Sequence, residues 1–412
     1  MLRMTDRPGT GAGREADDAA WRARFAAGAP GVLYFDASSI GPMPVDAPAR
    51  VVSLFDQGWR VARRRAWNES DWLEQPASLG ARIAPILGAG AADVRVVDST
   101  TVNLYKLLRQ ALAVRSPRRV IVAEAGVFPS NLYAAQGIAH AGLAELRLID
   151  GPDDLQRALA PGDVAVVALS HVDYRSSARW DMVSATGAIQ AGGACVLWDL
   201  SHSAGAVAID LAGCNADFAV GCGYKYLCGG PGAPAFLYVH PRWQDVGWPA
   251  ICGWMGHADT FAFEPEYRPA TGVARHQAAT PAVIANAAFG AAADIWKQVD
   301  RDDLTRRHAR LSGHLLEAIE RRCGGFGITL ASPRDAERRG GHVAWRFEGA
   351  GSLAQALVEA GVVVSARKPD ALRFAAHPLT TTIDEIDEGV DRLHAVLQSG
   401  LWREPRFAGP SV

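Results

Sequence analysis

Residues 220–234, VGCGYKYLCGGPGAP, place one lysine between two tyrosines and follow it with glycines and prolines. The apolar run before the lysine, DFAV at residues 217–220, predicts a buried strand, and the glycine-proline run after it predicts a turn. A lysine at the end of a core strand loses hydration at a free-energy cost unless it has a partner or a chemical task. Lys225 is therefore the first candidate for a functional residue.

The sequence around this stretch alternates between helical and strand patterns. VIVAE, DVAVVALS and ACVLWD are nearly continuous apolar runs, and segments with helical apolar spacing separate them. Such a pattern predicts a mainly parallel sheet with helices on both faces. A long helix is predicted at residues 281–298. Beyond it, HVAWRF, GVVVSA and ALRFAAH alternate with helical stretches and predict a smaller α+β unit.

The length of the chain, 412 residues, exceeds what one hydrophobic core usually supports, so two domains are expected. We predict an α/β fold class, with a mainly parallel mixed sheet flanked by helices in the large domain and a smaller C-terminal α+β domain. The predicted boundaries are a disordered tail at residues 1–20, a segment at 21–60 that packs with the small domain, a large domain at 61–295 and a small domain at 296–412.

Composition excludes several classes of function. The formal net charge is −2 and there is no long basic run, so neither nucleic acid nor an anionic membrane is expected as a partner. No apolar run is long enough to predict a membrane-spanning helix. The six cysteines show neither a C-x-x-C pair nor zinc-ligand spacing. We therefore predict no metal site and reduced thiols in a cytoplasmic protein.

Polar groups follow five of the predicted strands. In parallel sheets ligands bind outside the carboxyl ends of the strands, so these groups are expected to converge. The stretches at these strand ends are STT, AGVFPSN, SHVDYR, DLSH and GCGYKY. They contain Thr100, Thr101, Phe128, Asn131, Ser170, Asp199, His202, Tyr224 and Lys225.

Asp199 and Lys225 suggest a particular cofactor. An acid and a lysine at neighbouring strand ends can hold opposite sides of a flat heterocycle, and pyridoxal phosphate needs both. Its aldehyde reacts with a lysine amine, and a carboxylate keeps its ring nitrogen protonated. Thr100 and Thr101, at a predicted helix N-terminus, offer hydroxyl and N–H groups to its phosphate. Taken singly, a strand-end aspartate such as Asp199 is more often only the cap of the next helix.

The segments WDLSHSAGAVAIDL, ADFAVGCGYKYLCGGPGAPAFLYV and GWMGH resemble the kynureninase family, which are pyridoxal-phosphate enzymes of aminotransferase fold type I. The resemblance runs from about Tyr34 to WREPRF near the C-terminus. It implies hydrolysis of the Cβ–Cγ bond of L-kynurenine or a related γ-keto amino acid, which gives an anthranilate-type acid and L-alanine. It also implies a homodimer with active sites at the subunit interface.

The same resemblance implies roles for individual residues. Lys225 would bind the cofactor covalently, Tyr224 would reach its phosphate and assist proton transfer, and Asp199 would pair with the ring nitrogen. Further cofactor contacts would come from Thr100, Thr101, Phe128, Asn131, Ser170 and His202, and from Trp254 and Thr280 of the partner subunit. Substrate contacts would come from Ser39, Trp72 and Arg373, where the planar fork of Arg373 suits an α-carboxylate.

Several positions depart from the family pattern. In FPSN, Asn131 replaces an aspartate expected near the pyridine ring. The other departures are ASSIG at residues 37–41, Asp173, Cys228, AATPA at residues 278–282, His377 and Thr380. Because the cofactor motifs are kept while their surroundings change, we hypothesise an altered substrate, such as a ring-substituted kynurenine.

Other functions stay open at this point. The same cofactor could serve an aminotransferase, a β-lyase or a desulfurase, and a non-catalytic binding subunit is a further alternative. A desulfurase needs a mobile thiol that reaches the substrate. Cys228, three residues after Lys225, is expected to be too constrained for that role.

Overall fold

The computed structural model describes residues 18–408. It shows a hydrophobic core on each face of a large sheet unit and another core in a smaller C-terminal unit. The helices are α1 (Ala47–Ser53), α2 (Ala66–Glu69), α3 (Gln75–Ile83), α4 (Thr100–Val114), α5 (Pro129–His140), α6 (Pro152–Leu159), α7 (Met182–Ala191), α8 (Val283–Trp296), α9 (Arg301–Cys323), α10 (Ala350–Glu359) and α11 (Ile383–Ser399). A π-helix, Leu54–Ala62, continues α1. The strands are β1 (Leu33–Tyr34), β2 (Val94–Val96), β3 (Val120–Glu124), β4 (Glu145–Ile149), β5 (Val164–Ser170), β6 (Cys195–Asp199), β7 (Phe218–Gly221), β8 (Phe236–Val239), β9 (Thr329–Leu330), β10 (Val343–Arg346), β11 (Val362–Val363), β12 (Ser365–Arg367) and β13 (Ala371–Phe374).

The large unit is built on a seven-stranded sheet in the order β2-β8-β7-β6-β5-β3-β4. Five neighbouring strands run parallel, and β8 is antiparallel to both of its neighbours. Every residue of β5 and β6 is buried, which is why their sequences are continuous apolar runs without alternation. The sheet confirms the predicted α/β class and its mainly parallel character.

Strand register brings the polar strand ends together. Ser170, the last residue of β5, pairs with Asp199, the last residue of β6, and Asp199 in turn pairs with Val220 of β7. The chain leaves β7 at Gly221 and reaches Lys225 four residues later. The carboxyl ends of three adjacent strands therefore deliver their polar groups to one edge of the sheet.

The smaller unit has an antiparallel sheet in the order β12-β13-β10-β9, packed against α9, α10 and α11. The N-terminal segment joins this unit, because β1 pairs in parallel with β11 and Leu33 and Phe35 lie in its core. The exact domain boundaries stay predictions.

Most of the predicted tail, residues 1–17, lies outside the described residues. Residues 18–20, by contrast, belong to a helical turn, and Asp18 forms an ion pair of 2.6 Å with Arg310. The prediction of a disordered tail is therefore wrong for residues 18–20.

Candidate active site

A cleft opens at the carboxyl ends of β5, β6 and β7. Its walls are formed by Ser99, Thr100, Thr101, Phe128, Ser130, Asn131, Ser170, Val172, Tyr174, Asp199, Ser201, His202, Cys222, Tyr224, Lys225, Ala233 and Ala235. The cleft and its open mouth together hold about 690 Å³ of empty space. All nine of the candidates taken from strand ends line it.

Lys225 projects into this cleft as a buried amine. Its Nζ lies 2.8 Å from Nε2 of His202 and 5.7 Å from the centre of the Phe128 ring. Burial lowers the pKa of Lys225, and the positive charges of Arg373 and Arg367 lower it further. Burial also holds the pKa of His202 well below its usual value, so the imidazole is neutral. The amine of a lysine in this setting is therefore unprotonated a larger fraction of the time than that of an exposed lysine.

Asp199 is held by a set of directed hydrogen bonds. The backbone N–H and the hydroxyl of Ser201 both donate to Oδ1, at 2.9 and 2.6 Å. The Asn131 amide donates to Oδ2 at 2.9 Å. The carboxylate is thus fixed in the cleft on the side of β6, while Lys225 enters from the turn after β7.

The amide nitrogen of Asn131 has hydrogen-bond partners, whereas its amide oxygen has none among the described residues. Its Nδ2 lies 3.2 Å from the hydroxyl of Ser170 in addition to its bond to Asp199, whereas its Oδ1 is buried without a protein partner. A buried carbonyl oxygen without a partner costs free energy, and a donor on a ligand in the cleft would relieve that cost.

The N-terminus of α4 forms another wall of the cleft. Ser99 caps the helix, with its Oγ accepting from the N–H of Val102 at 3.4 Å, and Thr100 and Thr101 follow in the first turn. The unpaired N–H groups and the dipole of this 15-residue helix favour an anion. The three hydroxyls at this helix end suit a phosphate.

Tyr224 and the segment at residues 37–41 enclose the lysine turn. Burial raises the pKa of Tyr224 to about 12, so its phenol keeps its proton at neutral pH. The N–H of Gly41 donates to the Tyr224 carbonyl at 2.9 Å, and any Cβ at Gly41 would collide with the Lys225 carbonyl. Ser39 is half-buried in this segment and is not among the cleft-lining residues.

Arg373 lies directly behind the cleft wall. Its side chain is 1% exposed; Nη1 donates to the carbonyl of Tyr174 at 2.6 Å, and Nε and Nη2 donate to the hydroxyl of Ser365. The carboxylate nearest to it, Asp36, is 4.0 Å away. Burial, together with the charge of Arg367, lowers the pKa of Arg373 to about 10. A buried cation with so little compensation favours the approach of an anion.

Three further predicted residues, in addition to Ser39 and Arg373, lie outside the cleft. Trp72 packs edge-on against Trp67 at 5.1 Å and lines a separate groove beside α1, α3 and α8. Trp254 is 42% exposed, and Thr280 is exposed as well. The described chain does not by itself bring these three side chains to Lys225.

Comparison with known proteins places this geometry in a family. Residues 304–393 match the family model described as the kynureninase C-terminal domain. The chain is 39% identical over 384 residues to kynureninase of Pseudomonas fluorescens, which covers 92% of each protein. It is also 39% identical over 385 residues to kynureninase of Burkholderia pseudomallei, with the same coverage. The chain belongs to the kynureninase family.

Solved structures at lower identity support the fold alone. A covalent glycine complex of C-DES aligns with a TM-score of 0.77 at 19% identity, over 90% of this chain and 98% of that one. The cysteine desulfurase CsdA of Escherichia coli aligns with a TM-score of 0.74 at 18% identity, over 93% and 98%. These similarities confirm fold type I.

The departures from the family pattern fall mostly outside the cleft. Asn131 lines it, but Asp173 accepts hydrogen bonds from Ser176 in its own turn, and Cys228 and His377 are buried behind the lysine turn. The hypothesis of an altered substrate therefore depends mainly on Asn131.

Sequence reasoning missed several residues that line the cleft. They are Ser99, Ser130, Val172, Tyr174, Ser201, Cys222, Ala233 and Ala235. Ser201 and Cys222 were accessible to the strand-end rule, because each follows a predicted strand within two residues. Ala233 and Ala235 carry no comparable signal in the sequence.

Proposed function

We propose that this chain hydrolyses the Cβ–Cγ bond of L-kynurenine or a ring-substituted relative, giving an anthranilate-type acid and L-alanine. It is a kynureninase-like enzyme with pyridoxal phosphate as its cofactor. The observation that carries the proposal is that Lys225 and Asp199 line one cleft, in a chain of the kynureninase family.

The residues present fit the cofactor. When bound, pyridoxal phosphate supplies an electron sink for bonds to the substrate's α and β carbons. Asp199 would hold the proton on its ring nitrogen, and Thr100 and Thr101 would bind its phosphate at the N-terminus of α4. Phe128 would pack on the ring face, and the open Oδ1 of Asn131 would accept a hydrogen bond from the bound group.

Proton transfer falls to the groups around Lys225. The free amine would take a proton from the substrate's α carbon, which its lowered pKa favours at neutral pH. His202, neutral and 2.8 Å away, would accept a hydrogen bond from that amine when it is protonated. Tyr224 keeps its proton and would donate it to the carbon that becomes the methyl group of alanine.

Arg373 would bind the substrate α-carboxylate. Its guanidinium lies behind Tyr174, which lines the cleft, and it has no carboxylate closer than 4.0 Å. An incoming carboxylate would pair with a cation that is already desolvated. The resulting contact would orient the substrate with its γ-ketone towards the open mouth of the cleft, where water enters.

The two thiols nearest to Lys225 in the sequence give little support to a desulfurase. Among the described cysteines, Cys222 lines the cleft, and it is buried, with a pKa raised by that burial. Cys228 is buried away from the cleft. Neither lies on a loop that could carry a thiolate to a substrate.

We also propose a homodimer. Trp254 and Thr280 are exposed in the single chain, which suits residues that complete the cleft of a partner subunit.

Within the described residues, no helix combines the length and apolar character needed to cross a bilayer, and no group of three or more His, Cys, Asp or Glu side chains is placed to hold a metal. A cytoplasmic location stays a prediction.

Product analysis tests the proposal. Holoenzyme is incubated separately with L-kynurenine, 3-hydroxykynurenine, cysteine and aspartate, and the products are identified by mass. An aromatic acid and alanine in equal amounts are expected from one of the first two. Sulfide, pyruvate or a keto acid as the main product, with no aromatic acid, would contradict the proposal.

A further inference from the structure

The turn that carries Lys225 has an unusual backbone. The Lys225 carbonyl accepts a hydrogen bond from the N–H of Cys228 at 2.8 Å, which closes a tight turn. Cys228 has a φ of 58°, in the left-handed region that residues with a Cβ adopt infrequently. Contacts with neighbouring residues must therefore stabilise the left-handed conformation of Cys228.

Cys228 contacts His377 directly. The sulfur lies 3.2 Å from His377 Nε2, and both atoms lie within hydrogen-bond distance of the Tyr226 carbonyl, at 3.2 and 3.1 Å. The N–H of Leu379 donates to His377 Nδ1 at 3.4 Å, so the imidazole proton is assigned to Nε2. Both the thiol and Nε2–H then donate towards the Tyr226 carbonyl.

This pair is neutral and enclosed. Burial raises the pKa of the Cys228 thiol well above its usual value and lowers that of His377 to about 4. The rings of Phe25, Tyr226 and Trp296 pack around His377, at centroid distances of 5.5, 6.4 and 6.1 Å. The indole N–H of Trp296 donates to the next carbonyl of the turn, Leu227, at 3.0 Å. The pair therefore serves packing and hydrogen bonding, and cannot act as a thiolate nucleophile.

The opposite side of the turn is equally constrained. Gly41 donates to the Tyr224 carbonyl and approaches the Lys225 carbonyl so closely that no side chain fits there. The backbone on either side of Lys225 is thus fixed from two directions.

We propose that Cys228 and His377 act together as one positioning pair, which fixes the turn of Lys225 so that its amine enters the cleft beside His202. Both positions depart from the family pattern, and the structure shows them in contact. Neither side chain lines the cleft, so the pair acts on the lysine turn rather than on a ligand. The inference rests on the proposed role of Lys225.

Uptake of pyridoxal phosphate by the apoenzyme tests the inference without using catalysis. The unprotonated lysine amine adds to the cofactor's aldehyde carbon, and a C=N bond forms with release of water. The uptake rate, followed by visible absorbance, therefore rises as the pH passes the pKa of Lys225. The charged and titratable groups that face this amine are His202, Asp199, Cys222, Arg367 and Arg373, and the variants leave all of them unchanged.

We expect Cys228→Ala and His377→Ala to move the midpoint of this pH profile upward by about one unit, because a released turn lets water reach the amine. Cys228→Ser and His377→Gln, which keep a donor for the Tyr226 carbonyl, should stay near the wild-type midpoint. The double alanine variant should shift no further than the larger single shift, since the two residues act as a unit.

Cys323→Ala is the matched control. Cys323 is a buried cysteine in the core of the smaller unit, so its loss should lower thermal stability without moving the midpoint. The positioning role would be overturned if both single alanine variants kept the wild-type midpoint. Shifts that add in the double variant would overturn it as well. If the wild-type apoenzyme forms no cofactor adduct at all, the proposed function and this inference both fail.

Discussion

The two ends of the candidate site differ in how complete they are within one chain. At the cofactor end, Thr100, Asn131, Asp199 and Lys225 line a single cleft, and Asn131 donates a hydrogen bond to Asp199. At the substrate end, Ser39, Trp72 and Arg373 do not line that cleft: Arg373 is behind its wall, and Trp72 lies in another groove.

This difference shows which parts of the site the fold preorganises. The cofactor end follows from the parallel sheet, whose strand ends must meet. The substrate end depends on groups that lie outside the cleft of one chain, so we expect the binding of substrate or of a partner subunit to complete it. Single substitutions can disrupt each end separately.

The largest effect is expected at the cofactor end. Lys225→Ala should lower kcat by about 10⁴-fold, because it removes both the covalent attachment and the general base. Turnover of L-kynurenine by the purified variant measures this. Lys297→Ala, at an exposed lysine, is the control and should match wild type. Near-normal turnover by Lys225→Ala would show that the Lys225 amine takes no part in the reaction.

The next effect is expected at the substrate end. Arg373→Gln should raise KM by about 100-fold with a smaller change in kcat, because a desolvated charge–carboxylate contact is lost. Arg339→Gln removes another buried guanidinium, one bonded to Ser312 in the smaller unit, and should reduce stability without raising KM. An unchanged KM in Arg373→Gln would show that the substrate carboxylate binds elsewhere.

A shared site at the subunit interface predicts complementation. Trp254→Ala alone should lower kcat/KM by about 30-fold, as expected for loss of a buried aromatic contact. Mixing and reassociating it with Lys225→Ala should restore roughly a quarter of wild-type activity, since half of the dimers are mixed and each has one intact site. Activity no higher than the sum of the two variants would place Trp254 outside the site.

The smallest effect concerns Asn131. Asn131→Asp puts a second carboxylate beside Asp199, so one of the two has a folded-state pKa raised above its unfolded value. That carboxyl costs stability when ionised. The cost decreases as the pH falls through its folded pKa and is absent only below its unfolded pKa. The apo variant should therefore be less stable than wild type by about 1–3 kcal/mol near pH 8, with the gap narrowing towards about pH 5. Denaturant unfolding at the two pH values measures it.

Asn131→Ala serves as the control for that experiment, because it removes the amide without adding a charge. Its loss of stability should not depend on pH over the same range. A pH-independent gap in Asn131→Asp as well would mean that the two side chains separate when both are ionised.

The sequence predicted the cofactor end far better than the substrate end, for a physical reason. Asp199 and Lys225 follow continuous apolar runs, and parallel pairing then dictates where they lie. Trp72 and Arg373 come from segments whose placement depends on the packing of separate units, which local patterns do not encode. The contact between Cys228 and His377, 149 residues apart, was equally beyond local patterns. The π-helix Leu54–Ala62 was not predicted either, since its apolar spacing reads as an ordinary helix.

The identity of the cofactor-bearing lysine tests the central claim most directly. The chain has only four lysines, Lys106, Lys225, Lys297 and Lys368, so reduction of the holoenzyme with borohydride, proteolysis and mass mapping give an unambiguous answer. We predict one phosphopyridoxyl group per chain, on the peptide that contains Lys225. A label on any of the other three, or a fully loaded enzyme with no label on Lys225, would contradict the account.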